Sequence, residues 1–437
     1  MLNTILCILI SIAFVYILAN PKVPNSLLFL LLAPLLILTH VLDAATVWGF
    51  FANNSLHLVM IISVYASLMA VSGFDEQIGE TFERMTRNIH GKNRERGLFG
   101  IIFVLAALCS TIMANSSVTM AMVPALYGIS RRMKISRSKL VLFVIYASTL
   151  GGACTLIGTD TNIFANAALE EAGITPFAMF DFAWVGIPIA ILGGIYMVMF
   201  HHLNKSYDDL EDADSSMPAP KERTDNMARV MKRQQTGIFL GFFSFILILL
   251  LNSFDFFKAL DINAYAYGYL TIGLLYVFKC FSWKEVLHGF NFERMFMIVG
   301  LLAVIKMITN SSLGSWIGAL LEQSIGGSTS MYFIFTVLFI VTVIITQFMN
   351  NMAACGVISP IAITIAGTLG ADPRAFIMAI AIAAGCGYMT PFASGTNQRM
   401  SVFAKSTIVD YMRYGWPLII ITYLCALLIL PHVFPFF

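Results

Sequence analysis

Ser110 and Asn115 stand five residues apart in an apolar chain, and Thr346 and Asn351 repeat the interval far downstream. Hydroxyl and amide oxygens are neutral, hard donors; with free backbone carbonyls beside them they suit a small cation such as Na⁺. Each pair precedes a glycine-containing polar break. The first is "LIGTDTN", holding Gly158, Thr159, Asp160, Thr161 and Asn162; the second is "FASGTN", holding Ala393, Ser394, Gly395, Thr396 and Asn397. A helix that restarts after such a break points its N–H groups and the positive end of its dipole into the cavity it lines, which favours an anion. Cation ligands beside an anion cradle are what a carrier needs to move the two together.

The elements that must hold these groups are membrane spans. The 437 residues are 58% hydrophobic and 11% charged, and the mean hydropathy is +0.82. That composition excludes an ordinary soluble domain, makes nucleic acid an improbable partner, and defines an all-α polytopic membrane protein in a lipid bilayer. Measured against the ~20 residues a crossing needs, the apolar windows give about ten transmembrane helices and two re-entrant hairpins. The window at 4–19 has no basic flank and no small-residue cleavage site, so it reads as a first span and not a removable signal. Seven scattered cysteines without a CxxC read as packing residues, and no metal site beyond sodium and no cofactor is expected. The absence of HExxH and GxSxG motifs argues against an enzyme.

Polar groups recur with nearly constant spacing about 236 residues apart. Asn115 to Pro124 and Asn351 to Pro360 are both 9 residues, while Asn115 to Asn162 is 47 and Asn351 to Asn397 is 46. Asp181, Gly186 and Pro188 match Asp410, Gly415 and Pro417; the two aspartates sit at helix starts and read as N-terminal caps. If the segments meeting at Asn115 and at Asn350-Asn351 are hairpins that return to their own side, 23 of the 26 Lys and Arg residues share one face of the membrane, which is then cytoplasmic. "RRMKISRSK" then lies inside and its counterpart "AGTLGADPRA" outside, so the copies are inverted, the arrangement that builds one midplane site from two broken elements.

The paired segments "MANSS…GGACTLIGTDTN" and "TQFMNNMAA…PFASGTN" resemble the divalent anion/sodium symporters of the ion transporter superfamily, carriers of dicarboxylates, citrate and sulfate. The likeness covers roughly 98–200 and 295–430. It implies one sodium held by Ser110, Asn115 and the carbonyls of Ala114 and Gly158, and a second held by Thr346, Asn351 and the carbonyls of Asn350 and Ala393. It implies a substrate dianion met by Asn115, Ser116, Thr159, Asn351 and Ser394, with Met352 where the family has a hydroxyl. It further implies sodium-coupled symport, a homodimer and an elevator motion; the expected location is a bacterial cytoplasmic (inner) membrane. Ala114 replaces the leading hydroxyl of the first family motif, and Asp160-Thr161 and Gly395-Thr396 replace proline pairs, a pattern closer to the sulfate-type branch.

The expected division is scaffold over 1–97 and 236–294, moving repeats over 98–200 and 295–437, and a cytoplasmic loop over 201–235. Asp160 has three readings beside an anion site: it caps a helix or pairs with a cation, for which Arg399 is the candidate; it serves Na⁺ or a coupling proton; or it selects a neutral or cationic solute. A sodium/proton antiporter or a metalloid-oxyanion transporter on the same scaffold is the alternative function.

Overall fold

The computed structural model describes residues 2–20, 23–24, 26–87, 94–203, 225–252, 262–310, 330–404 and 406–437, over which the chain is helical without strands. Most of the loop expected over 201–235, residues 204–224, lies outside this set. Among the described residues four helices are long and apolar enough to cross a membrane alone: Asn54–Val71, Arg229–Leu251, Asn351–Leu369 and Ile408–Val433. Shorter apolar helices accompany them, and two of these, Met331–Thr346 and Arg374–Gly385, end at a hairpin tip or a polar break.

Five helices recur in the same order in each half. The first set is Arg94–Ser110, Asn115–Met133, Arg137–Gly152, Asp160–Glu171 and Ala183–Met199; the second is Met331–Thr346, Asn351–Leu369, Arg374–Gly385, Gly395–Ala404 and Ile408–Val433. The local backbone repeats as well. Ala114 and Asn350 leave the helix at φ/ψ −57/135° and −56/140°, and the arms that follow each contain one proline and end on a left-handed residue, Lys134 (φ 55°) or Gly370 (φ 65°). Asn350 caps its arm by accepting the Met352 N–H at 3.0 Å, whereas Ala114 has no side chain to do so.

The copies interlock. The broken helix Asp160–Glu171 packs on Asn351–Leu369 and Arg374–Gly385, and Gly395–Ala404 packs on Asn115–Met133 and Arg137–Gly152. Tyr146, fully buried, donates its hydroxyl to the Tyr388 carbonyl inside the second break at 2.6 Å. Phe292–Asn310 packs on the segment at residues 28–32 and on Asn54–Val71, and also on Asp160–Glu171 and Asn351–Leu369. It therefore joins the flanking helices to the repeats.

The two aspartates differ from the expected simple caps. Asp410 is the third residue of its helix and closes a reciprocal box with Thr407, accepting the Thr407 N–H at 2.9 Å and its hydroxyl at 2.7 Å. Asp181 accepts the Ala178 N–H at 2.8 Å in the turn before a helix that begins only at Ala183. It ties the turn and leaves the helix end uncapped.

Candidate functional site

Each hairpin tip places one asparagine amide in a nest of oxygens. One end of the Asn115 amide lies 2.5 Å from Ser110 Oγ, 3.1 Å from the Ser148 carbonyl and 3.2 Å from the Gly158 carbonyl. The Asn351 amide meets Thr346 Oγ1 at 2.8 Å, the Ala384 carbonyl at 3.0 Å and the Ala393 carbonyl at 2.6 Å. The correspondence is close: the hydroxyl is five before the asparagine and the first carbonyl 33 after it in both copies, and the break carbonyl follows at 43 in the first and 42 in the second. With its NH₂ inward the amide donates to the carbonyls. With its oxygen inward it accepts the Ser110 or Thr346 hydroxyl and faces two carbonyl oxygens, a set of hard oxygen donors that a small cation would complete. Ser110 and Thr346 are fully buried. The residues present therefore fit a small hard cation at both tips.

Close backbone approach builds the first nest. A Cβ on Gly152 would stand 2.5 Å from Asn115 Oδ1 and 2.8 Å from the Gly158 carbonyl, and one on Gly158 would strike the Gly152 backbone. Neither position has room for a side chain.

The breaks are held by Asn162 and Asn397, which the repeat spacing singled out, together with two threonines that it did not. Thr155 donates its hydroxyl to the tip carbonyl of Thr111 at 2.5 Å, and Thr390 does the same to the Gln347 carbonyl at 2.7 Å. Seven residues on, Asn162 Nδ2 donates to the Thr155 carbonyl at 2.8 Å, and Asn397 Nδ2 to the carbonyls of Thr390 at 3.0 Å and Gly387 at 2.7 Å. Asn162 and Asn397 thus serve the unwound backbone, whose groups cannot stay unpaired in a dry interior. The signal was a Thr-x6-Asn spacing common to both copies. Thr155→Val or Thr390→Val is expected to lower unfolding free energy by about 1 kcal/mol by removing a hydrogen bond to a part-buried carbonyl, read as a fall in melting temperature in detergent.

The anion-facing candidates fall into two groups. Ser116, Thr159 and Ser394 are partly exposed, and Ser394 Oγ also accepts the Asn397 N–H at 3.0 Å. Met352 is buried in the hydrophobic core. Thr159 and Thr161, with hydroxyls 3.3 Å apart, join Asn162, Gly385, Tyr388 and Thr422 around a cavity of about 10 Å³, so parts of both breaks line one enclosure. Thr396 is buried beside Asn397.

Asp160 does not pair with Arg399. Its Oδ1 lies 3.2 Å from Arg294 Nη1, while Arg399 Nε donates to the Gly395 carbonyl one turn back in its own helix. The expectation failed because it took the partner from the symmetry-related break, whereas Arg294 comes from Phe292–Asn310, which packs alongside. A second pair, Lys306 Nζ to Glu171 Oε1 at 3.0 Å, ties the far ends of the same two helices. Asp160 also starts its helix, where a negative charge complements the dipole. Arg294→Met is expected to slow transport more than Arg294→Met with Asp160→Asn. Because the pair is partly solvated, a double-mutant cycle on stability should read only about 0.5–1 kcal/mol.

Two hairpins, two broken helices and paired oxygen nests recur in the two halves of one polytopic helical fold. Residues 12–380 match the model of the family described as "Citrate transporter", and the chain belongs to that family. It is 24% identical over 444 residues to the sodium-dependent dicarboxylate transporter SdcS of Staphylococcus aureus, a match covering 95% of this chain and 83% of that one. It is 26% identical over 159 residues to the uncharacterized transporter YfbS of Escherichia coli, covering 36% of this chain and only 26% of that protein. The matches to the first curated relatives span about a quarter of those proteins' length. Among solved structures, the YdaH transporter of Alcanivorax borkumensis aligns with TM-score 0.62 at 13% identity, covering 96% of this chain and 97% of that one. MtrF of Neisseria gonorrhoeae aligns with TM-score 0.54 at 14% identity, covering 91% and 83%. At these identities the structural likeness establishes the fold alone. The family and these relatives are transporters, not enzymes.

Proposed function

We propose that this protein carries a small dianion, of dicarboxylate or sulfate type, across a bacterial cytoplasmic membrane together with Na⁺. The observation that carries the reading is the pair of matched oxygen nests around Asn115 and Asn351. Sodium at each nest would draw the amide oxygen inward and place positive charge beside Ser116, Thr159 and Ser394, where the anion docks. The name of the relative SdcS supports dicarboxylate over sulfate and supports sodium as the coupling ion. The moving body comprises the repeats over 98–200 and 295–437, and the helices over 1–97 and 236–294 form the scaffold of a homodimer in which the repeats travel as an elevator.

Thermal unfolding of the purified protein with succinate, malate, citrate, sulfate and thiosulfate, each with and without Na⁺, tests the substrate class, because a ligand of the native state raises stability by mass action. A shift with a dicarboxylate that appears only in Na⁺ is the expected result. A sulfate-only shift would move the substrate to the inorganic branch, and shifts indifferent to Na⁺ would remove the coupling. The ion pair gives Asp160 a structural task, so Asp160→Asn should leave the pH profile of uptake unchanged. A flattened profile would instead assign that carboxylate the coupling proton and favour the proton-linked alternative.

A further inference from the structure

Away from the repeats, the helices Arg229–Leu251 and Ala264–Val277 enclose a groove of about 650 Å³. Its first wall begins with Arg229, Lys232 and Arg233 and continues with Thr236, Leu240 and Ser244, residues spaced to share one helix face. Leu274 and Phe278 supply the facing wall. One end is therefore basic and the remainder mainly apolar, with the hydroxyls of Thr236 and Ser244 along it. Arg233 donates to the Phe278 carbonyl at the end of the second helix, which fixes the mouth of the groove. Arg229 and Lys232 are exposed and hold no ion pair among the described residues.

The dimensions match one leaflet. Fifteen residues separate Arg229 from Ser244, about 22 Å of helix, against roughly 20 Å for half a bilayer with its headgroups. The basic end also lies on the side that the Lys and Arg distribution makes cytoplasmic. We propose that this groove is a binding site for an anionic phospholipid, its phosphate held between Arg229 and Lys232 and an acyl chain laid along Leu240 and Leu274. Charge complementarity selects this occupant, since a purely apolar partner would leave two basic side chains unanswered and a zwitterionic lipid would add a cation beside them.

Native mass spectrometry of the full-length protein, titrated with dioleoyl phosphatidylglycerol or dioleoyl phosphatidylcholine, tests the site. The anionic lipid should bind about tenfold tighter, and Arg229→Ala with Lys232→Ala should erase that preference while leaving the protein folded. Leu240→Trp, which crowds the apolar part without touching charge, should weaken both lipids at this site. A preference unchanged by the double alanine variant would overturn the proposal. So would a photo-cross-linker at Leu274 that captures a second protein chain instead of lipid, which would make the groove an interface between copies.

Discussion

Asn115→Ala is expected to cut sodium-driven uptake in proteoliposomes by about 100-fold, and Asn351→Ala to do the same. Each amide is the one side chain touching a hydroxyl and two backbone carbonyls from different segments. Losing it removes about three contacts worth roughly 1 kcal/mol apiece and leaves the carbonyls facing an empty space. Asparagine to aspartate separates the two jobs of the amide. Aspartate keeps an oxygen for a cation but has no N–H to donate, so Asn115→Asp should retain a sodium-dependent thermal shift that Asn115→Ala loses. If alanine and aspartate lose the shift equally, hydrogen bonding and not ion ligation is the task of Asn115.

The other large effect belongs to Gly158. Alanine there would drive a methyl into the Gly152 backbone, and Gly152→Ala would press on Asn115 itself at 2.5 Å. Neighbouring backbone cannot yield as a flexible side chain would, so either variant should lose about 1–3 kcal/mol of stability together with sodium-dependent uptake. Gly128 is the control, because a Cβ there meets nothing within 4 Å and the residue is mid-helix; Gly128→Ala should be neutral or up to about 1 kcal/mol stabilising. Equal tolerance at all three positions, measured by thermal melts, would contradict the close packing assigned to the first nest.

Much of this site was legible in the sequence because hydrophobic surroundings make polar residues conspicuous. Ser110, Asn115, Thr346 and Asn351 stood out by their equal spacing, and the structure brings each pair together with a break carbonyl. The shared glycines also have a structural reason: a Cβ on Gly186 would strike the Ala153 carbonyl, and one on Gly415 the Tyr388 carbonyl, each inside a break. Thr155 and Thr390 were missed because threonine in an apolar helix ordinarily bonds its own helix, and nothing local marks one that reaches another tip. The partner of Asp160 was misassigned for a related reason. Spacing within a repeat reports which residues correspond, but not which outside helix lies next to them, and Arg294 belongs to such a helix. Asp160 itself breaks the symmetry, with Gly395 in its place, so the repeat could not supply its partner.

The most direct test is an experimental density map of the protein in sodium chloride with succinate, set beside one in choline chloride. The account predicts a sodium peak within coordination distance of Asn115 Oδ1 and Gly158 O, a second at Asn351 Oδ1 and Ala393 O, succinate between them, and loss of both peaks in choline. Peaks absent from both nests, or succinate bound away from Ser116 and Ser394, would contradict it.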